Sequence, residues 1–411
     1  MNILLVNHYA GSPRHGMEFR PYYLAREWVR NGHRVQIVAA SYSHVRATQP
    51  EVADEALDEV ISGIAYRWLP TPAYEGNGLG RVRNIGAFLS RVWRETGRLV
   101  EELRPDVVIA SSTYPMDIWV ARRIAKLAGA KLVYEVHDLW PLSPIELSGM
   151  SPGHPFIMLC QKAENDAYRH ADVVVSMLPK VAEHMQAHGL DLRKLHIVPN
   201  GVALDDWAHA PQPLAPEMAA RLGAIRRGGR MIVGYAGSHG LPNALDVLLD
   251  AAARLENEPL AFVLVGDGHE KARLAARVRD EGLATCVTMF DPVPKGEIPA
   301  LLAAFDIAYI GWQRVPIYRF GIAPNKLMDY MMAGRAVLHS VEAGNDPVAE
   351  ARCGVTVAPE SVDAVVDGLR HLAAQTPLTR SVMGERGRAY VMAHHGYDVL
   401  AQRFIDAVMA S

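Results

Sequence analysis

The chain has 411 residues, more than one hydrophobic core ordinarily organises, and this length predicts two domains. Half of the residues are hydrophobic and the net charge is −3, which excludes a disordered chain and argues against a nucleic-acid-binding protein. The three cysteines are scattered and form no CxxC pair. They therefore indicate neither a disulfide framework nor a zinc site, as expected in a reducing cytoplasm.

The chain begins with MNILLVNHYAG, which lacks a basic start and a small-residue cleavage site and therefore predicts a first strand rather than a secretion signal. The longest apolar stretch, residues 298–312, contains Pro299 and Asp306 and is too short to cross a bilayer. We expect a cytoplasmic protein without a membrane-spanning helix. Peripheral contact with the inner face of the cytoplasmic membrane stays open.

Short apolar runs alternate with helix-length amphipathic segments along the chain, which predicts βα units and parallel sheets. The runs are continuous in Val, Ile and Leu, as is typical of strands covered on both faces. In the first half the predicted strands are 2–7, 34–39, 106–110, 131–136 and 172–176. In the second half they are 231–236, 261–265, 287–290, 307–310 and 336–339.

A strand ending in the turn Pro199-Asn200-Gly201 separates the halves, and a proline-rich segment follows it. We expect a first domain over residues 1–199 and a second over residues 200–393, with a C-terminal helix, 394–411, packing back on the first. The fold class is α/β, with two doubly wound, Rossmann-like domains and a cleft between the carboxyl ends of their sheets. Neither half carries GxGxxG after its first strand, and the chain has no GxxxxGK[ST] sequence.

Residues 320–340, FGIAPNKLMDYMMAGRAVLHS, predict a glycine loop, a helix and a buried strand. Gly321 lets backbone approach a ligand closely. The backbone N–H groups around Ile322, Ala323 and Asn325 would form an anion site at the positive end of the helix.

Two charged side chains follow in this helix. Lys326 is one of only eight lysines and adds a full positive charge to the anion site. Asp329 lies on the same helix face, where it would accept hydrogen bonds from ribose hydroxyls. Taken alone, the stretch fits a capped helix with a surface Lys–Asp pair equally well.

Two further turns have the order strand, glycine loop, helix, and either one alone is usually a simple βα connection. Together with the loop at Gly321 they indicate a site for a nucleotide diphosphate. The residues at these two turns are Gly237, Ser238 and Gly240, and Gly266 and Gly268.

In the first half, the stretch KLVYEVHDLWP ends a buried strand with His137 and Asp138. A histidine at a strand's carboxyl end would point into the cleft, although a core histidine held by Asp138 is the alternative. The loop after the first strand offers a polar cluster on the same side. Its residues are Gly11, Arg14, His15, Gly16, Glu18 and Arg20.

Residues 81–104 predict a long amphipathic helix with an apolar inward stripe and arginines on its outer face. The stripe consists of Ile85, Phe88, Val92, Leu99 and Leu103, and the outer arginines are Arg91, Arg94 and Arg98. The arginines would contact anionic lipid headgroups or a lipid pyrophosphate. The alternative is a solvated face, because glutamates in the same helix offset part of the charge.

These motifs together resemble the retaining GT-B glycosyltransferases of the family-four type, over essentially the whole chain. The resemblance rests on the first glycine loop, EVHD, IVPNGV, VGDG and PNKLMDYMMAGRAVL. The stretches GMEFRPYYLAREW and HDLWPLSP look most like WbuB-type enzymes of O-antigen and capsule clusters, which add N-acetylated sugars such as fucosamine.

The sequence departs from the family pattern in two places. Of the two glutamates usually found eight positions apart, the second position is Asp329 and the first is Gly321. The usual arginine and lysine after the first strand of the second domain are absent from GSHGLPNALD. The WbuB-like subgroup resembles this sequence in both departures, and more of the electrostatic role would fall on Lys326.

The resemblance implies a UDP-sugar bound by the second domain and a lipid-pyrophosphate-linked glycan acceptor held by the first. It also implies retention of anomeric configuration, with His137 hydrogen-bonded to the donor sugar. The chain has no DxD sequence, so we expect no metal and no cofactor, and charge stabilisation by the helix dipole and Lys326. The alternatives are a UDP-N-acetylglucosamine 2-epimerase-like isomerase and a catalytically silent nucleotide-sugar binder.

Overall fold

The computed structural model describes residues 1–17, 19–76 and 78–410, and the chain forms two compact units. The first unit is Met1–Asn200 together with the C-terminal helix, and the second is Gly201–Gly396. The chain passes from one to the other within the turn Pro199-Asn200-Gly201, where proline and glycine interrupt regular structure.

The first unit is built on an eight-stranded sheet. Its strands are β1 (Asn2–Val6), β2 (Arg34–Ala40), β3 (Leu57–Ile61), β4 (Ile64–Leu69), β5 (Val107–Ala110), β6 (Lys131–Val136), β7 (Val173–Ser176) and β8 (Leu195–Ile197). Their spatial order is β3-β4-β2-β1-β5-β6-β7-β8, and every pair is parallel except β3 with β4. The order reverses between β1 and β5, where the carboxyl ends of the strands leave a crevice.

The strands β3 and β4 were not predicted. The outermost strand, β3, is mostly exposed, so it lacks the apolar run of a covered strand. In β4 the apolar run is interrupted by Arg67, which is buried nevertheless. Its guanidinium lies 2.6 Å from an Asp58 carboxylate oxygen and 2.5 Å from Glu95 Oε2, and these two acids offset its charge in the sheet.

In the described part of the chain before the second unit, the helices flanking this sheet are α1 (Phe19–Arg30), α2 (Leu79–Leu103), α3 (Asp117–Ala128), α4 (Leu142–Ser148), α5 (Pro155–His170) and α6 (Ala182–Ala187). The predicted inward stripe of α2 is confirmed, since all five of its apolar residues are buried. On the outer face, Arg98 pairs with Glu102 at 2.6 Å, so part of the positive charge is compensated within the helix. None of the helices within the described residues combines the length and apolar character needed to cross a bilayer.

The second unit is built on a six-stranded sheet in which every strand pair is parallel. Its strands are β9 (Met231–Ala236), β10 (Leu260–Val265), β11 (Val287–Phe290), β12 (Ile307–Gly311), β13 (Ala336–Ser340) and β14 (Gly354–Val357). The spatial order β11-β10-β9-β12-β13-β14 reverses between β9 and β12. This is a doubly wound sheet with its ligand-binding crevice expected at those two strands.

Within the residues that the structure describes, nine helices surround the second sheet. They are α7 (Asp205–Ala208), α8 (Pro216–Arg227), α9 (Leu245–Arg254), α10 (Lys271–Asp280), α11 (Ile298–Ala303), α12 (Asn325–Met332), α13 (Pro347–Ala351), α14 (Val362–Ala374) and α15 (Pro377–His394). Apolar side chains of these helices cover both faces of the sheet in two buried clusters, one around Phe262 and one around Phe305. Burial on both faces explains why these strands are continuous apolar runs.

The last helix, α16 (Tyr397–Met409), returns to the first unit and packs on α1. Trp28 Nε1 donates a hydrogen bond to the Ala401 carbonyl at 3.1 Å, and the Trp28 ring meets Phe404 edge-on. Tyr23 stacks on Tyr397 at a centroid distance of 5.0 Å. The C-terminal helix is therefore an integral layer of the first unit.

We expect Trp28→Ala to lower the free energy of unfolding of the first unit by about 3–5 kcal/mol, because it leaves a cavity and removes the bond to α16. Urea unfolding followed by circular dichroism measures the loss. Trp93→Ala is the control, since Trp93 is 46% exposed and its removal should cost less than about 1 kcal/mol. Equal losses in the two variants would show that α16 is not held through Trp28.

Candidate active site

The helix α12 is fixed to the carboxyl end of β9 by one tyrosine. The Tyr330 hydroxyl donates to the Ala236 carbonyl at 3.1 Å and accepts from the Ala236 N–H at 2.8 Å. Lys326 lies one turn earlier on the same helix face, so its side chain also reaches the end of β9. The helix starts without a side-chain cap, and its first N–H groups have no partner inside the helix.

The Lys326 ammonium group is half-buried and bonded only to neutral groups. Its Nζ lies 2.9 Å from the Tyr235 hydroxyl and also donates to Oδ1 of Asn243. No carboxylate among the described residues forms an ion pair with it, Asp329 included, so the surface Lys–Asp pair is not what the structure shows. Burial lowers the pKa of Lys326 to about 8. The recess therefore holds a cation that lacks a countercharge.

Two glycine turns form the wall of this recess. Gly237, at φ 155°, lies so close to Lys326 that a Cβ there would meet Lys326 Cε at 3.1 Å and Nζ at 3.3 Å. A Cβ on Gly266 would fall 1.9 Å from the Gly237 carbonyl oxygen. The positive φ and the nearby lysine favour glycine at 237, and glycine at 266 is required to let the two turns pack against each other.

The other residues predicted at these turns differ in how far they are exposed. Ser238 is exposed, and its carbonyl accepts hydrogen bonds from the Tyr235 hydroxyl at 2.6 Å and from Asn243 Nδ2 at 2.9 Å. Gly240 is buried and Gly268 is half-buried. Between them, His239 is buried with neither ring nitrogen hydrogen-bonded among the described residues, and burial lowers its pKa to about 4.

The loop before α12 differs from the prediction at Ile322. The Ile322 N–H is not free for an anion, because it donates to Oδ1 of Asn345 at 2.7 Å. Asn345 in turn donates to the Ile322 carbonyl. Gly321 adopts φ 108°, a conformation that favours glycine. Ala323 is half-buried and Asn325 is exposed as the first residue of α12. The Ile322 N–H is therefore satisfied within the protein, whereas the N–H groups in the first turn of α12 have no partner inside the helix.

Asp329 is half-buried, and its carboxyl group forms no hydrogen bond or ion pair within the described residues. Burial raises its pKa to about 7, although the nearby charge of Lys295 acts in the opposite direction. Lys295 is itself paired with Asp206 at 2.6 Å. A carboxyl group in this state is well suited to accept hydrogen bonds from ligand hydroxyls.

In the first unit, the corresponding edge of the sheet holds a buried ion pair. Glu135, near the end of β6, accepts from Arg20 Nε at 3.0 Å, and Arg20 also donates to the Val198 and Pro199 carbonyls. Burial alone would raise the pKa of Glu135, but Arg20, His137 and Ser111 together lower it to about 2. Arg20 is thus a buried structural residue that ties β6 to the segment leaving the unit, not an exposed group facing a ligand.

His137 is half-buried, and Ser111 and Glu135 hold one of its ring nitrogens. The Ser111 hydroxyl donates to Glu135 Oε2 at 2.6 Å, so its oxygen accepts from His137 Nε2 at 2.9 Å, and Glu135 Oε2 lies 3.3 Å from the same nitrogen. The proton is therefore on Nε2, which leaves the Nδ1 lone pair of the neutral ring for another donor. A ligand hydroxyl is a suitable donor.

Asp138 does not hold His137. Its Oδ1 accepts from the Leu139 N–H at 3.0 Å and from the Ser143 hydroxyl at 2.6 Å, which stabilises the turn into α4. Burial raises its pKa. The alternative of a core histidine held by Asp138 is therefore wrong about the partner, because Glu135 and Ser111 hold His137 instead.

The residues of the loop after β1 mostly contact other parts of the first unit. His15 is buried, bonded through Nδ1 to the Ser12 hydroxyl at 2.9 Å, and lies against Trp68, while Arg14 is exposed and pairs with Glu59. The Gly11 carbonyl accepts from the Tyr66 hydroxyl. A Cβ on Gly16 would approach Ala47 Cβ to 2.9 Å, and Glu18 lies outside the described residues. The predicted polar cluster is therefore not one surface directed at a ligand.

Residues that the sequence prediction missed complete both sites. In the first unit they are Glu135 and Ser111, and a signal for Glu135 was present, because an acid two residues before His137 shares its strand face. In the second unit they are Tyr235, Asn243 and His239. Tyr235 is also two residues before its glycine turn, but nothing in the sequence alone pairs it with Lys326.

Comparisons with known proteins agree with this architecture. Residues 15–201 match the family described as glycosyl transferase 4-like domain, and residues 230–375 match the family described as glycosyl transferases group 1. The chain carries the paired domains of a GT-B glycosyltransferase.

The similar proteins include WcaI of Escherichia coli K12, whose name assigns it, as a glycosyl transferase, to colanic acid biosynthesis. It is 27% identical over 256 residues, which is 61% of this chain and 61% of that protein. The aligned part is thus less than two thirds of the relative's length.

Solved structures show that the whole chain has the GT-B fold. Sucrose-phosphate synthase from Thermosynechococcus elongatus matches with a TM-score of 0.74 and 16% identity, over all of both chains. HepE of Anabaena, solved in complex with UDP and glucose, matches with a TM-score of 0.68 and 15% identity, again over all of both chains.

The first unit also has a cavity of about 410 Å³, between the start of α2 and the turn after β6. Apolar side chains such as Ile85, Trp140 and Phe156 line most of it, and Asp138 and Arg81 add one charge of each sign. Arg81 donates to the Tyr9 hydroxyl and lies 5.6 Å from the Trp140 ring centroid. The cavity thus combines an apolar interior with one cation and one carboxyl group.

For the buried pair we expect Glu135→Gln to destabilise the first unit by about 3–5 kcal/mol at pH 7, because it leaves the Arg20 charge unpaired. The folded pKa of Glu135 lies below its ordinary value, so its stabilisation is complete above about pH 4.5 and disappears as the pH falls towards 2. The difference between variant and wild type should shrink over that range in urea unfolding.

The control is Glu102→Gln, which breaks the exposed pair with Arg98 and should cost less than about 1 kcal/mol at either pH. A Glu135→Gln variant as stable as this control would contradict the charge-pair interpretation.

Proposed function

We propose that the protein is a retaining glycosyltransferase that moves a sugar, N-acetylated in our assignment, from a UDP-sugar to a lipid-linked glycan precursor of a surface polysaccharide. The observation that carries this proposal is the Lys326 ammonium group, half-buried without a countercharge at the start of α12. A half-buried cation beside a helix N-terminus is a suitable place for a diphosphate.

The diphosphate would complete the recess electrostatically. Lys326 would pair with the phosphate that becomes the leaving group, and the N–H groups at the start of α12 would add the positive end of the helix dipole. Glycine at 237 lets the lysine side chain lie close to the turn after β9. Because negative charge grows on the leaving phosphate in the transition state, these fixed donors lower the barrier. In this proposal they take the place that a DxD-bound metal has in other transferases.

Asp329 would accept hydrogen bonds from the ribose hydroxyls, and it stands at the second of the two acidic positions that flank the donor in the family that the sequence resembles. Its carboxyl group has no internal partner within the described residues, which leaves its oxygens for such donors. The solved complex of HepE with UDP supports UDP as the nucleotide, and the assignment of WcaI to colanic acid biosynthesis supports a polysaccharide product.

His137 would bind a hydroxyl of the donor sugar through Nδ1, because Ser111 and Glu135 hold Nε2. In the proposed step the acceptor hydroxyl attacks the anomeric carbon from the face that the diphosphate leaves. The bond from that carbon to the phosphate oxygen breaks, and UDP takes the acceptor proton. The configuration at the anomeric carbon is thereby retained.

The acceptor would occupy the first unit, at the cavity beside α2. A lipid-linked pyrophosphate combines an apolar chain with an anionic head, and the cavity combines apolar walls with Arg81. Leu79 and Val82 at its edge are exposed on the surface of α2. This arrangement supports peripheral binding at the inner face of the cytoplasmic membrane, with the arginines of α2 near lipid headgroups.

We expect the affinity for UDP to fall about tenfold between pH 7 and pH 9, because the Lys326 ammonium with its pKa of about 8 loses its charge over this range. Isothermal titration measures the affinity. In Lys326→Arg the decrease should be absent, since a guanidinium stays charged.

At pH 7, Lys326→Ala should weaken the binding free energy of UDP and raise the activation free energy of turnover, each by a few kcal/mol. The UDP affinity of this variant should also not change between pH 7 and pH 9. Lys126→Ala, on the outer face of α3, is the control and should behave as wild type. Wild-type affinity in a folded Lys326→Ala variant would refute the proposed diphosphate site.

The proposed reaction is tested by incubating the enzyme with UDP-N-acetyl sugars and a prenyl-pyrophosphate-linked sugar, followed by mass spectrometry of the lipid. We expect transfer only when the acceptor is present. His137→Ala should lower turnover by about 10²–10³-fold while UDP binding is kept, and the exposed His371→Ala should change neither.

The other outcomes identify different functions. A new epimer formed from UDP-sugar alone would indicate an isomerase. Specific UDP binding without transfer to any lipid extract would indicate a silent binder. Loss of UDP binding in His137→Ala would contradict the role given to that histidine.

A further inference from the structure

A cluster of metal-binding side chains lies in the first unit and shares no residue with the His137 site. It comprises Glu164 on α5 and the pair His184 and His188 on α6 and its C-terminal cap. One ligand atom from each residue lies within 4.8 Å of the others, and this is the one such group in the described ranges. Glu164 is buried, and both histidines are half-buried.

The two histidines are spaced so that both rings lie on the same face of the helix. Residues four apart lie on one face of a helix, and here the rings are 4.4 Å apart between centroids with an angle of 41°. Two imidazoles on one helix face are a common pair of metal ligands. A helix of six residues gains little from its own hydrogen bonds, and Met185 is the buried side chain of α6.

The hydrogen bonding of His188 leaves its outer nitrogen suited to a metal. Its Nδ1 lies 2.8 Å from the His184 carbonyl oxygen, and only an N–H can donate to a carbonyl. In the neutral ring the lone pair is therefore on Nε2. Histidines that bind metals usually have their other nitrogen fixed in this way by a carbonyl or a carboxylate.

Glu164 is also held in place by hydrogen bonds. Its Oε1 accepts from the Tyr168 hydroxyl at 2.9 Å, and its Oε2 accepts from Gln161 Nε2 at 2.7 Å. A carboxylate has about four acceptor positions, so two hydrogen bonds leave room for a metal. His184 Nε2 lies 3.8 Å from Glu164 Oε1, which is too long for a hydrogen bond and close to the separation of two ligands on one ion.

We propose that Glu164, His184 and His188 bind one divalent transition-metal ion of the zinc class. Two imidazoles and one carboxylate match the ligand set of zinc, whereas magnesium and calcium prefer oxygen ligands. With bonds of about 2.0–2.1 Å the ligand atoms would draw together by roughly 1 Å, and water would fill the fourth position. The ion would hold the short helix α6 against α5.

The site is tested with Zn²⁺ alone, added to the full chain without a polyhistidine tag. We expect one equivalent to bind in competition with a chromogenic chelator, and the melting temperature to rise by several degrees. Co²⁺ in its place should give the visible absorption bands of a tetrahedral nitrogen–oxygen site.

His188→Gln and His184→Asn should each weaken the binding of Zn²⁺ at least tenfold. His170→Gln is the matched control, because it removes an imidazole from α5 outside the cluster and should bind Zn²⁺ as wild type does. Melting without metal shows whether each variant is folded, and two independent histidine variants keep the test valid if one is not.

Three results would overturn the proposal. No stoichiometric binding of Zn²⁺ to the wild-type chain would show that the cluster is held by hydrogen bonding alone. Folded His188→Gln and His184→Asn variants with wild-type affinity would exclude these ligands. An equal loss in His170→Gln would show that the binding is not specific to the cluster.

Discussion

The parallel pairing of strands is the constraint on which both units depend. Parallel strands all end at the same edge of a sheet, so the residues that follow them lie close together however far apart they are in sequence. In the second unit this brings the turn after β9 together with α12, 91 residues apart at the bond between Tyr235 and Lys326. In the first unit it places Ser111 after β5 beside His137 after β6.

The two sites differ in how their charges are compensated. Glu135 is neutralised internally by Arg20, and this pair fixes the ring of His137 before any ligand arrives. Lys326 has neutral partners, and the lowered pKa reflects the free energy of holding a cation without a countercharge. The first arrangement is electrostatically complete within the first unit, whereas the second leaves a cation without a countercharge.

Glycine has a specific structural role at the second site. A lysine side chain, a tyrosine and two backbone turns meet within a few ångströms. A Cβ on Gly266 would overlap the Gly237 carbonyl, and a Cβ on Gly237 would lie tightly against Lys326. The arginine and lysine that the family pattern usually has at this turn are absent, and the positive charge of the recess lies on Lys326.

The sequence by itself determined the parallel α/β architecture, the two halves and most of the strands, because burial on both faces leaves continuous apolar runs that can be read directly. It also placed Lys326, Asp329 and His137 at strand ends or a helix start. The tertiary structure alone decided their partners: Glu135 rather than Asp138 for His137, Tyr235 and Asn243 rather than Asp329 for Lys326, and Asn345 for the N–H of Ile322. Such pairings depend on register and side-chain direction across distant segments, which local periodicity does not encode.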